Sequence, residues 1–131
     1  MKIAPSVITQ LNPGEIFVYG ANEAGIHGAG AARQARTWGA QMGKYGFSGS
    51  TYGIPTKDAN IDTLPLSRIE YHVNQFVRFA QHSPQYTFLV TPIGCGLAGY
   101  RPEDIAPLFR FSVGCDNIYL PKEFAYILEK S

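Results

Sequence analysis

The sequence predicts a layered α/β fold built on a mainly parallel sheet. Two observations carry this reading. Short apolar runs bounded by Gly or Pro alternate with helix-like segments from Glu15 to Lys130, and a long amphipathic stripe between Leu66 and His82 separates two of those runs. Parallel strands need crossover connections, and helices between strands supply them. With 131 residues, 45% hydrophobic and 16% charged, the chain reads as one globular domain over residues 1–131. A domain of that size buries about two-thirds of its unfolded surface.

Each element has its own signal. EIFVYG, residues 15–20, is an apolar run between Pro13-Gly14 and Gly20 and reads as a buried strand. GAARQARTW, residues 30–38, is rich in alanine and other good helix formers. Residues 41–50 carry glycine and serine turns and no period, and read as a mobile loop. STYGI, residues 50–54, is a second strand, stopped by Pro55. Ile69, Val73, Phe76, Val77 and Ala80 then fall on one helical face, which ends at Ser83-Pro84. Residues 86–91 are β-branched and aromatic, as in a strand. Pro102 followed by Glu103 and Asp104 opens a helix that runs to Phe109. Residues 117–120 make a last short strand, and 121–130 a terminal helix with Phe124, Ile127 and Leu128 on one side. The residues before Pro13 form either an edge strand or a short helix.

Composition narrows the function classes. A formal net charge of +1 excludes the broad basic footprint of a duplex nucleic-acid binder. It leaves room for a small anion, because backbone amides bind phosphate without net charge. No apolar run reaches the ~18 residues of a membrane span, and MKIAPSVITQ lacks the apolar core of a signal peptide. The two cysteines, Cys95 and Cys115, are too few for a secreted disulfide scaffold. These features predict a cytoplasmic protein with reduced thiols. No spacing of His, Cys and Asp points to a metal site, and no cofactor is expected.

Two glycine-rich stretches stand where strands give way to helices: GANEAGIHGAGAA from Gly20, and PIGCGLAGY from Pro92 to Tyr100. In open α/β sheets ligands bind beyond the carboxyl ends of strands. Glycine there permits tight turns and lets backbone N–H groups approach a phosphate. The pair therefore reads as two halves of a diphosphate cradle, against the alternative of tight turns with close helix packing. The first loop is neither a Walker loop, since no Gly-Lys-Ser/Thr follows, nor a dinucleotide fingerprint, since its glycines have the wrong order.

On GANEAGIHGAGAA, YGIPTKD and IGCGLAGY the chain resembles the macro domain, the ADP-ribose-binding α/β module, and more narrowly a branch of compact macro-like proteins of phages and bacteria. The resemblance spans roughly residues 15–109. It implies a three-layer α/β/α fold with a mixed, mainly parallel sheet. It further implies that Gly94, Cys95, Gly96, Leu97, Ala98 and Gly99, after Ile93, hold a diphosphate through backbone amides. Tyr100 matches the aromatic packed on the distal ribose, and Asn22 the asparagine that bonds that ribose. Gly28 and Gly30 match the first phosphate loop, with Gly20, Gly25 and Ala31 beside them. The segment that is Asn-Ala-Ala-Asn in the family is reduced here to Gly20-Ala21-Asn22, and the acidic adenine-binding residue has no secure counterpart.

Other residues leave alternatives open. His27 either contacts phosphate or ribose, acts as acid or base, or merely shapes its loop. Thr56, Lys57 and Asp58, after the second strand, either bond a ribose or base or end the strand. Cys95 reads as a small filler rather than a nucleophile, since no base adjoins it. His72 and His82 are expected at the surface. Trp38, Tyr45, Phe47 and Tyr52 stack on a base, fill core, or bury a subunit interface. The leading expectation is a non-catalytic binder of ADP-ribose or a related NAD-derived nucleotide, able to sequester an immune signal if phage-encoded, and a homo-oligomer. The rival is an ADP-ribosyl hydrolase or ADP-ribose phosphate phosphatase using Asn22 and His27, with Glu23 as the nearest carboxylate. A structural oligomer with a vestigial pocket is the third reading.

Overall fold

The computed structural model describes residues 1–130. Its centre is β1 (Glu15–Asn22), in which Phe17, Val18 and Tyr19 are all at most 1% exposed. A run buried on both faces is the mark of a central parallel strand. Its neighbours are β3 (Thr51–Lys57) and β4 (Thr87–Val90), both parallel to it. β5 (Ile118–Tyr119) continues the sheet in parallel beyond β4, and β2 (Gly46–Ser48) pairs antiparallel with β3 at the other edge. The order is β2-β3-β1-β4-β5, a mixed five-stranded sheet.

Alternate side chains of β1 enter different apolar clusters. Ile16 and Val18 join Ile54, Phe88 and Val90 in the main core, together with α2 (Leu66–Gln81) and Phe124 of α4 (Lys122–Glu129). Phe17, Tyr19 and Ala21 pack instead with Ala35 of α1 (Gly30–Ala35) and with Ile8, Leu11 and Trp38. This division follows from topology. The chain leaves β1 through α1 to reach β3 on one side, then crosses back through α2 to reach β4 on the other. Right-handed crossovers in opposite directions must carry their helices on opposite faces. The reversal puts a topological switch point at the carboxyl end of β1, where the loops after β1, β3 and β4 leave the sheet together.

Several elements differ from the sequence reading. β3 does not stop at Pro55 but runs to Lys57. Proline has no N–H for the ladder, and the register shifts there: Ala21 faces Pro55 and Asn22 faces Lys57, so Thr56 is skipped. Residues 41–50 are not all loop, since β2 and β3 form a hairpin through Gly49-Ser50, with Gly49 at φ 58°. The helix opened by Pro102 ends early: α3 (Pro102–Ile105) passes into a 3-10 stretch, Ala106–Ser112. Pro107 cannot donate the hydrogen bond that would continue the α-helix. The N-terminal residues form neither a full edge strand nor a helix; Ile3 makes a single parallel bridge to Leu120. The long helix matches its predicted face and adds His72, which is buried rather than at the surface.

Candidate functional site

A cavity of about 380 Å³ lies at the switch point. Its floor is the carboxyl end of β1 (Gly20, Ala21, Asn22) and the start of the loop after β4 (Thr91, Pro92, Ile93, Gly94). One wall is the first glycine loop with the start of α1: Ile26, Gly28, Ala29, Gly30, Ala31 and Ala32. Gly96, Leu97 and Ala98 of the second loop also line it, with Thr56, Lys57 and Ile61 from the end of β3 and the loop after it. Both glycine loops therefore contribute to one cavity. Lys57 is the only charged side chain among the described lining residues, so an anion entering meets no carboxylate.

Side-chain hydrogen bonds hold the three loops. Asn22 Oδ1 accepts from the N–H groups of Ala24 (3.1 Å) and Ile26 (3.0 Å), and its Nδ2 donates to the Ile26 carbonyl (2.7 Å). Asp58 Oδ1 accepts from Asn60 (2.8 Å) and Asp62 (3.0 Å). Thr63 Oγ1 donates to the Ala98 carbonyl (3.0 Å), bracing the second glycine loop against the loop after β3. Within that third loop Ile61 has φ 67°. A β-branched residue in the left-handed region costs on the order of 1–2 kcal/mol.

The glycines fall into three groups. Gly25 and Gly94 permit close approach as well as positive φ: an added Cβ would lie 2.2 Å from Lys44 N at Gly25 and 2.8 Å from Ile105 Cδ1 at Gly94. Gly30 and Gly99 turn the chain at φ 59° and 87°. Gly28 and Gly96 do neither. Their φ lies outside the left-handed region, and a Cβ on either meets nothing within 4 Å. Both line the cavity. The N–H groups of Gly28, Gly96, Leu97 and Ala98 have no protein acceptor among the described residues.

Not every predicted site residue reaches the cavity. Gly20, Asn22, Gly28, Gly30, Ala31, Thr56, Lys57, Ile93, Gly94, Gly96, Leu97 and Ala98 line it. Gly25 packs against the 41–44 segment instead, and Gly99 sits behind the loop with its N–H on the Gly96 carbonyl. His27 is fully buried, its ring edge-on to Tyr19 at 5.6 Å and its Nε2 2.9 Å from the Gln41 carbonyl oxygen. It shapes the loop rather than facing a ligand. Tyr100 turns toward the core and donates its hydroxyl to the Leu64 carbonyl (2.7 Å). Asp58 caps its own loop. Cys95 packs against the main core, and burial, with smaller contributions from Glu123, Asp104 and Glu103, pushes its thiol up to about 11. That supports the filler reading. Asn22 lines the cavity; its Oδ1 and one Nδ2 proton hold the loop it folds, and its second Nδ2 proton has no protein acceptor among the described residues.

Glu23, the carboxylate nearest the first loop, also faces elsewhere. It accepts from His72 Nε2 (2.9 Å) and Arg68 Nε (3.1 Å) on α2. The His72 hydrogen bond, followed by Arg68, holds it below the usual carboxylate range against the opposing effect of burial. The sequence reading missed Ala21, Ile26, Ala29, Ala32, Ile61, Thr91 and Pro92 in the lining. Thr91 and Pro92 follow a strand end directly, and that position alone marks them; Ile61 carries no local signal.

Fold and site together define an α/β protein whose cavity sits at a sheet switch point between two glycine loops. No protein-family model matches the chain, and no curated protein does. The chain is similar in fold to a solved structure described as a protein of unknown function from Bacteroides thetaiotaomicron. The two share 13% identity over 92% of this chain and 94% of that one, with a TM-score of 0.59.

Proposed function

We propose that the protein binds ADP-ribose or a related NAD-derived nucleotide without turning it over, as a three-layer, macro-domain-like module. Holding such a nucleotide intact is the chemistry of a sequestering protein. The observation that carries this reading is the pair Gly28 and Gly96. Neither backbone angle nor crowding calls for glycine at these positions, and glycine costs about 0.5–1 kcal/mol of backbone entropy relative to alanine. Their lack of a side chain suits something entering the cavity. Free N–H groups at Gly28, Gly96, Leu97 and Ala98, with Lys57 nearby, suit a phosphate or diphosphate. The division of β1 side chains between two clusters supports the layered arrangement.

The binder is favoured over the hydrolase because the two candidates for acid or base in the first loop are engaged outside the lining, His27 with Gln41 and Glu23 with His72 and Arg68, which leaves Lys57 as the one charged side chain among the described lining residues. The test is isothermal titration with ADP-ribose, followed by mass spectrometry of the ligand released by heat. Binding with unchanged ligand is the expected result. Absence of binding sinks the nucleotide reading, and recovery of a cleaved or dephosphorylated product replaces it with the enzyme.

A further inference from the structure

Three aliphatic side chains stand at the mouth of the cavity, one from each converging loop. Ile26 is 49% exposed, Ile61 44% and Leu97 77%, and all three line the cavity. Exposed single aliphatics are ordinary. Three that meet over one cavity, each on a loop pinned by side-chain hydrogen bonds, are not scattered at random.

Ile61 is the most informative. Its left-handed backbone is held by Asp58, whose carboxylate takes the N–H groups of Asn60 and Asp62 and whose carbonyl takes the Ile61 N–H at 3.1 Å. Left-handed geometry suits glycine or asparagine, and isoleucine poorly. Burial does not compensate, because the side chain is nearly half in solvent. Neither the turn nor the core therefore accounts for an isoleucine here, whereas an apolar surface for a ligand does.

We infer that Ile61, backed by Ile26 and Leu97, is a specificity-determining jaw that packs on the sugar or base ring of a phosphate ester held in the glycine cradle. The inference rests on the nucleotide reading above and adds the residue that sets its specificity: Ile61 is what makes a ring-bearing phosphate ester preferred over inorganic diphosphate. The cavity, at about 380 Å³, is in the range of small-ligand sites and far larger than the roughly 30 Å³ share of a water molecule.

The test compares ADP-ribose with pyrophosphate by calorimetry on wild type, Ile61→Asn and Ile61→Val. Asparagine tolerates the left-handed backbone, so Ile61→Asn folds at least as stably as wild type by thermal melting. It is expected to weaken ADP-ribose about tenfold through lost apolar contact and to leave pyrophosphate affinity unchanged. Ile61→Val, still apolar, keeps affinity within about threefold. Equal ADP-ribose affinity in wild type and a folded Ile61→Asn overturns the jaw and leaves the cradle standing. Equal loss for both ligands overturns it too, since the residue would then shape the cradle. Wild type binding neither ligand overturns the phosphate reading and the jaw with it.

Discussion

Substituting Gly28 and Gly96 by alanine separates a ligand site from a folding requirement. At both positions φ lies outside the left-handed region, and apart from the adjoining residues no heavy atom lies within 4 Å of the new Cβ. Glycine-to-alanine changes at compatible sites stabilise by about 0.4–1 kcal/mol, chiefly by restricting the unfolded chain. For a domain of this length 1 kcal/mol moves the melting temperature by about 4 °C. Each variant should therefore melt about 2–4 °C above wild type. Binding should move the other way. A methyl group at Gly96 stands where an anion must approach free N–H groups, and a hydrogen bond to a charged group contributes about 1.5–3 kcal/mol. Losing one such bond weakens ADP-ribose by roughly ten- to 150-fold. Gly96→Val, with a larger side chain, should abolish binding while the circular dichroism stays native. The measurements are thermal melting without ligand and calorimetry with it. A folded Gly96→Ala with wild-type affinity would remove the second loop from the site. A variant less stable than wild type would refute the claim that the fold does not need glycine there.

Tyr100→Phe removes a hydroxyl bonded to the Leu64 carbonyl, so it should cost about 1 kcal/mol of stability and leave ADP-ribose affinity unchanged; a loss of affinity with no loss of stability would put the hydroxyl in the site. Glu23→Gln should destabilise the protein at neutral pH through its bonds to buried His72 and to Arg68. Because the Glu23 carboxyl lies below its ordinary value in the folded state, its contribution is full above the unfolded value near 4.3 and fades as pH falls through the folded one. The difference in urea midpoint between wild type and variant should thus close on acidification from pH 7 to 2.5, and a difference constant with pH would contradict the pairing. Cys95, raised to about 11, should react with a disulfide reagent at pH 8 about one order of magnitude more slowly than a free cysteine of pKa about 8.5, since a thiolate fraction about 200-fold lower is partly offset by a more nucleophilic thiolate. Finally, the exposed Tyr45 and Phe47 lie on or beside the edge strand β2, with Tyr71 also exposed, and a paired edge would cover both unmet backbone and apolar rings. A dimer mass by light scattering at micromolar concentration is expected, and a monomer mass refutes it.

Much of this architecture is legible in the sequence, for identifiable reasons. The α2 face is visible because five apolar residues keep a helical period, and β1 because a run buried on both sides has no polar interruption. The β2–β3 hairpin was also legible: Gly49-Ser50 between Phe47 and Tyr52 is a two-residue turn signal, outweighed by the glycines around it. Extension of β3 past Pro55 was not, because only the register slip opposite Ala21 and Asn22 accommodates a proline inside the sheet. Within the site, backbone-lined positions such as Gly28 and Gly96 follow from chain order alone. Side-chain directions do not. His27 and Tyr100 sit in the right loops but turn to Gln41 and Leu64, partners that are 14 and 36 residues away. Ile61 is hidden for a further reason: its φ is imposed by Asp58 against its own preference.

The same geometry bears on the proposal that the cavity holds a ligand without turning it over. A hydrolase must stabilise its transition state more than its bound substrate, and that takes a group that gains or loses a proton beside the scissile bond. The wall that follows the first glycines offers Ala29, Ala31 and Ala32. Apart from Lys57, which lines the cavity, the nearby titratable groups are Glu23 and His27, and each is hydrogen-bonded outside the lining. Glu23 ties the first loop to α2, and His27 fills the space beneath that loop. Freeing either for chemistry would loosen the loop whose N–H groups are to hold the phosphate. A cradle of fixed amides on a phosphate already charged in the ground state lowers a dissociation constant, and it accelerates a reaction only where new charge develops within reach of those amides. On the proposed reading, calorimetry should therefore find ADP-ribose bound and mass spectrometry should recover it intact, and a cleaved product would refute the argument from this wall.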